Sequence, residues 1–336
     1  MNVIHKVGLT ATEIAWLWTT YMNDSASIGI LKHFQATNDK EDVKALLDRS
    51  ITASETHLNV IRNIFAEEKF PIPQGFTAKD IDLAAPALFF DLYSVSFIYG
   101  MSRIGMANYG KMVSNVARED IRAFFSECLR TALDLYNEST RLMLDKGIYD
   151  RPPMIPYPNH IEFIRNKGTI LSKWMEKERP LNVIEISEIF YNIERNYFGL
   201  ILLTAFIQVA RDEQVKRFLQ KGKELAQKQI KFLNETMIDD DLLGNIMVNS
   251  EVSTSTVSPF SDKLMMFIVT ALNAQGAAFV GNSMATSSRA DLIAVYDKFV
   301  HEIMKFGKEG FDIMVENGWL EEPPHAPDRE ALAQRR

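Results

Sequence analysis

The chain has 336 residues, 46% hydrophobic and 24% charged, with 44 acidic against 37 basic side chains and a net charge of −7. This is the composition of folded protein rather than disordered chain, and an acidic balance without a Lys/Arg block argues against a protein that tracks nucleic-acid phosphates. One cysteine, Cys128, excludes an intramolecular disulfide framework, a thiolate zinc cluster and an iron–sulfur cage.

From the N-terminus, MNVIHKVGLTATEI lacks the apolar core of a secretory signal, so a cytoplasmic location is expected. Apolar residues then recur at three- and four-residue steps, which predicts four helices over about 10–35, 41–66, 86–116 and 118–146. The first carries Leu17, Trp18, Tyr21, Ile28 and Leu31 on one stripe, and the second Leu47, Ile51, His57, Leu58, Ile61 and Phe65. A short polar turn, Thr37 to Lys40, joins them, and a longer connection with Pro71, Pro73 and Gly75 leads to the second pair. A segment holding five prolines follows, 151–180, whose Phe163, Ile170, Leu171 and Trp174 predict a linker that packs. Four more helices are expected at about 182–209, 212–236, 260–286 and 289–317. The apolar stretches Gly199–Ala210 and Leu264–Gly281 fall short of a clean twenty-residue span, because Gln208, Asn273 and Gln275 interrupt them, so no membrane span is predicted.

The two sets of helices are copies. LTATEI at Leu9–Ile14 returns as LNVIEI at Leu181–Ile186, an offset of 172 that also aligns Phe34 with Phe206 and Leu47 with Leu219. At an offset of 171, Asp91 meets Asp262, Gly105 meets Gly276, Gly110 meets Gly281, and Arg118-x-Asp120 meets Arg289-x-Asp291. A period of this length is a duplicated domain rather than a solenoid. The predicted organisation is a four-helix bundle over 1–150, the proline-rich linker 151–180, a second bundle over 181–324 and a polar tail 325–336. Two helices, a long crossover and two more helices is the ferritin-like order, so the expected fold is all-α with two tandem ferritin-like four-helix bundles.

A di-iron bundle needs Glu-x-x-His on two of its helices, and the chain contains none. No GxGxxG, GxxxxGK[ST], GxSxG or HExxH occurs either, leaving nucleotide, acyl-transfer and zincin chemistry without support. His57 lies on the inward stripe of the second helix with Ser54 one turn earlier. Antiparallel packing through the 37–40 turn would set it level with Trp18 to Tyr21 and bring Asp24 beside Ser54. That is either a core histidine hydrogen-bonded to Tyr21 or a weak site for iron, manganese or zinc on His57 and Asp24. The second copy has Gln229 there, so a metal would belong to the first copy alone. Glycines inside helices cost about 1 kcal/mol each. Gly105, Gly110, Gly276 and Gly281 therefore mark close helix approach, a groove for an apolar ligand, or a subunit contact. The Arg-x-Asp pairs are expected to be structural, with the Asp at a helix N-terminus and the Arg on the carbonyls that end the preceding helix. His33, His160, His301 and His325 have no counterparts across the copies.

LWTTYMNDS (17–25), FPIPQGFT (70–77), YDRPPMIPYP (149–158), VSPFSDKLMMF (257–267) and NGWLEEPPHAPDR (317–329) together resemble an uncharacterised domain family of Bacillus-type spore formers. It usually occurs in two copies, is placed near the ferritin-like superfamily, and has some members with a spore-coat label. The resemblance implies fold, duplication and bacterial origin, with no activity attached. Family members tend to have a Lys-His pair where this chain has Lys228-Gln229. The expected function is therefore a non-catalytic structural or binding protein, spore-associated or stress-related. A degenerate metal protein at His57 and a carrier of an apolar ligand are the alternatives, and a homodimer or an assembly partner is left open.

Overall fold

The computed structural model describes residues 7–161, 163, 179–244 and 252–334. Each bundle is built from two helical hairpins. In the first, α1 (Ala11–Thr37) pairs with α2 (Glu41–Glu67) and α3 (Tyr93–Val113) with α4 (Glu119–Asp145). In the second, α5 (Val183–Val209) pairs with α6 (Glu213–Asp239) and α7 (Asp262–Thr286) with α8 (Ala290–Glu316). A short α9 (Arg329–Gln334) lies in the tail.

The repeated strings mark helix starts. Thr10 and Glu13 form a reciprocal capping box on α1, and Asn182 and Glu185 repeat it on α5. The predicted third helix begins late: its apolar residues 86–92 belong to the crossover, where Pro86 lies and Phe89 pairs antiparallel with Val252. An apolar run alone does not distinguish extended chain from buried helix.

The bundles meet about a local twofold axis. Their crossovers pair through two bridges, Ile81 with Phe260 and Phe89 with Val252, which the 171-residue offset exchanges. The hydrogen bonds obey the same exchange: Asp82 N donates to Pro259 O at 2.8 Å and Ser253 N to Leu88 O at 3.0 Å. Around this seam α1 rests on α7 and α3 on α5. Tyr93, fully buried, stacks on Phe89 at 4.4 Å and on Phe198 of the other bundle at 5.7 Å. One apolar core consequently runs through both copies, with a smaller cluster at the far end of the second. Glu321, past α8, adds a clasp by accepting from the backbone N–H groups of Gln74 and Gly75 at 2.8 and 2.7 Å.

The Arg-x-Asp pairs are structural, with different partners from those expected. Each Arg grips its Asp with two nitrogens, Arg118 on Asp120 and Arg289 on Asp291. The remaining Nη1 reaches a carboxylate at the end of the second helix, Glu68 or Asp240, and a carbonyl ahead of the first, Val7 or Arg179. It does not reach the carbonyls that close α3 or α7, because the chain turns into the next helix with the guanidinium facing across the bundle end.

Of the residues on which the linker's packing was expected, only Phe163 is described. Met154 and Tyr157 are more than 90% exposed and Phe163 is 78% exposed, while Ile155 rests on the second core. Ile170, Leu171 and Trp174 lie outside the described residues. Among the described residues one helix, α7, is long and apolar enough to cross a membrane by length and composition. Its Leu264, Met265 and Met266 are fully buried in the shared core.

His33 stands at the seam, fully buried, its ring 5.3 Å from that of Phe260, with neither nitrogen hydrogen-bonded. Burial holds it neutral and pushes its pKa down to about 4, against a small opposing pull from Asp82. The unfolded chain, with an ordinary histidine pKa of 6.5, then binds the extra proton first. Stability is lost as pH falls below 6.5 and the loss is complete near pH 4, amounting to about 3 kcal/mol. Urea denaturation of His33→Leu beside the parent is expected to show a flatter profile over that interval. Parallel profiles would refute the assignment.

Candidate functional site

The duplication brings two cavities to the same place in the two bundles. The first, about 150 Å³, opens beside Asp24, Ser54 and His57 on α1 and α2, under Gly105 and Tyr109 on α3, with Ile268, Leu272 and Gln275 of α7 closing it from the other bundle. The second, about 260 Å³, opens beside Asn196, Ala226 and Gln229 on α5 and α6, under Gly276 on α7, with Tyr93, Gly100 and Arg103 of α3 closing it. Each bundle thus lends its third helix to the other's cavity, as the twofold seam requires.

The polar pair beside each cavity occupies equivalent positions and has different chemistry. In the first copy His57 Nδ1 lies 2.9 Å from Asp24 Oδ2, and Ser54 Oγ donates to Asp24 Oδ1 at 3.0 Å. Both residues are buried, and the imidazole sits edge-on to Tyr109 and Phe124. Burial pushes the Tyr109 phenol and the Cys128 thiol well up, and the Asp24 carboxylate adds to both. The thiol is therefore held protonated and inert. In the second copy Asn196 Nδ2 donates to Gln229 Oε1 at 3.1 Å, a neutral amide pair in place of a carboxylate and an imidazole.

Asp24 and His57 are thus brought together. The partner of His57 is Asp24 rather than Tyr21, whose hydroxyl instead accepts from Arg62 Nε at 3.2 Å. Asp24 lies beside Ser54 as the short turn suggests, and its second oxygen reaches His57 one turn along α2. Among the described residues no group of three or more His, Cys, Asp or Glu is placed to hold a metal ion, and Asp24 and His57 form a pair without a third such residue.

The four glycines do not make one groove. Gly105 lines the first cavity and Gly276 the second, while Gly110 and Gly281 line neither and face open space. Five residues along an α-helix is a rotation of about 140°, which turns the second glycine of each pair off the cavity face. Gly105 also serves close approach, since a Cβ there would lie 3.4 Å from Ala132 on α4.

Arg195 is the residue that sequence reading passed over. It occupies, in the second copy, the position of Asn23, and it lines the larger cavity. Its Nε has no partner, and its one hydrogen bond within the described residues is a long one, 3.4 Å, from Nη2 to Asn192 Oδ1. Gly276 makes the room: a Cβ there would stand 2.6 Å from Arg195 Nη1. Burial brings this guanidinium down to about 10, with only Tyr191 acting against it. The neighbouring Glu194 is committed elsewhere, to Arg103 across the bundle interface, where that guanidinium also lies 4.2 Å over the Tyr191 ring. The signal that could have found Arg195 was the repeat itself, by carrying the neighbours of Asp24 across the 172-residue offset.

The chain was compared with known proteins. No curated protein sequence matches it. A crystal structure of a candidate spore coat protein from Bacillus halodurans is similar at 20% identity with a TM-score of 0.40, covering 45% of this chain and 98% of that one. Residues 2–161 and 169–332 each match the same family, described as protein of unknown function (DUF3231). Matched twice and over nearly its whole length, the chain belongs to the DUF3231 family.

Proposed function

We propose that the protein is a non-catalytic binding protein that takes a small apolar molecule into the larger of its two duplicated cavities. The observation that carries this is a space of about 260 Å³, walled by Phe198, Leu202, Leu272, Ile303 and Phe306, with a smaller counterpart at the equivalent place in the other bundle. Protein cores close-pack, and voids larger than a water molecule are few. Two such spaces kept at matched positions are not packing faults. An apolar cavity of about 150 Å³ is large enough for benzene, so the larger space suits a ligand of about ten to fifteen heavy atoms.

The test is a titration with 1-naphthylamine, a neutral probe small enough for the space whose fluorescence changes when it leaves water. Saturation near one equivalent is expected. Gly199, which lines the cavity and has open space where a Cβ would point, offers a filling variant. Gly199→Leu should weaken probe binding at least tenfold while leaving the far-ultraviolet circular dichroism unchanged. An unsaturable signal, or one indifferent to Gly199→Leu, ends this reading.

The buried contact between Asp24 and His57 favours a second reading, retention of a divalent transition ion in the first copy. Elemental analysis of protein prepared without a metal column decides it. Near one equivalent in the parent and none in His57→Ala supports it, and none in either ends it.

A further inference from the structure

We propose that the ligand of the larger cavity is an apolar monocarboxylate whose head group is held by Arg195. This rests on the cavity being a binding site and names the class of molecule it takes. Arg195 is half-buried, with Nε sealed from solvent and unpartnered, and a guanidinium drawn that far from water ordinarily has a carboxylate beside it, because an unpaired charge away from water is costly. Among the described residues no carboxylate forms an ion pair with Arg195, although Asp150 and Glu194 line the same cavity. Glu194 is engaged by Arg103, Glu188 is engaged by Ser283 and Asn282, and the amides Asn196 and Gln229 bond each other. Asn273 donates to the Ile303 carbonyl.

The position is also built for the charge. Gly276 leaves the space that the Nη1 end occupies, where any side chain would collide with it. The same glycine recurs in the first copy as Gly105, where the residue equivalent to Arg195 is the neutral Asn23. The planar fork of a guanidinium matches the two oxygens of a carboxylate. Phe198, Leu202, Leu272, Ile303 and Phe306 give the wall an apolar side, and the polar residues beside it, Arg103, Glu194, Asn196, Gln229 and Asn273, already bond one another or the backbone, so the remainder of the ligand is mainly hydrocarbon. A volume of about 260 Å³ admits a medium-length chain or a ring carboxylate and is too small for a two-chain lipid.

The experiment is calorimetric titration of the full chain at pH 7.5 with decanoate and, separately, with decan-1-ol, which has the same chain length and no charge. Decanoate is expected to bind at least tenfold more tightly than decan-1-ol. In Arg195→Met the advantage should vanish, with decanoate falling at least tenfold and decan-1-ol changing less than twofold. Removing an unpaired buried charge does not threaten the fold, and Gly276→Ala, which displaces the guanidinium while keeping it, should also cost decanoate selectively. Equal affinities in the parent, or decanoate binding untouched by Arg195→Met, overturn the carboxylate assignment and leave the apolar pocket standing. Binding of neither compound overturns both.

Discussion

Replacing Glu185 with alanine is expected to destabilise the chain by about 3 kcal/mol, at about 1–3 kcal/mol for each donor left unsatisfied. Glu185 has no solvent exposure. Its two oxygens accept from both terminal nitrogens of Arg179, each at 2.8 Å, and from the backbone N–H groups of Asn182, Ser288 and Arg289 at 3.0–3.1 Å. One carboxylate therefore ties the start of α5 to the turn between α7 and α8. Its loss leaves three backbone donors without their acceptor, while Arg179, partly exposed, keeps Pro180 O and the Ser288 hydroxyl. Urea denaturation should give an intermediate value for Glu185→Gln, which keeps the shape and one acceptor. Burial alone would raise the Glu185 pKa, but Arg179 and the N–H groups of Asn182 and Ser288 more than reverse it, so the net shift is downward from 4.5. The stabilisation is thus present above pH 4.5 and is lost as pH falls below it. Glu13, the counterpart in the first copy, bonds Thr10 and the N–H of Arg118. With fewer donors to strand, Glu13→Ala should cost less, about 2 kcal/mol. A change below 1 kcal/mol for Glu185→Ala would show that the cluster is not held as described.

Tyr93→Ala should cost about 3–5 kcal/mol, typical of truncating a large aromatic side chain in a core, and its effect should reach both copies. The ring lies between Phe89 and Phe198, with Phe34 edge-on, so it belongs to each bundle at once. Since one apolar core runs through the seam, the parent is expected to unfold in a single transition, with tryptophan fluorescence and circular dichroism coincident. Tyr93→Ala should move both traces together. A variant in which one trace shifts and the other stays would mean that the bundles unfold independently.

The helices were legible from apolar stripes at helical spacing, and at the starts of α1 and α5 the string that the duplication prints twice turns out to be a capping box. Thr10 with Glu13 and Asn182 with Glu185 fix the starts of α1 and α5 within a residue or two. The start of α3 was not legible. Between Pro86 and Leu92 only Leu88 and Phe89 are buried at the seam while Phe90 is exposed, and the pairing of Phe89 with Val252 holds the segment out of the helix. The proximity of Asp24 to Ser54 followed from antiparallel packing through a short turn, while the side-chain direction that carries the second carboxylate oxygen to His57 rather than leaving the imidazole to Tyr21 is not written in the spacing. Arg195 was invisible for a simpler reason. Arginine is almost never fully buried unless paired, so on a helix it reads as solvent-facing, and nothing local marks the one that turns inward.

The twofold seam has an evolutionary corollary. In a symmetric dimer assembled from separate copies of one repeat, the same patch serves both subunits, so every substitution is imposed on both pockets at once. A charge that suits one ligand is then repeated in the other, and an acid and a base cannot be assigned to opposite sides. Joining the repeats in one polypeptide removes that constraint while keeping the shared seam. Asp24 and His57 on one side, and Arg195 with the Asn196 and Gln229 amides on the other, are the kind of asymmetry that a fused pair can fix and a dimer of identical chains cannot.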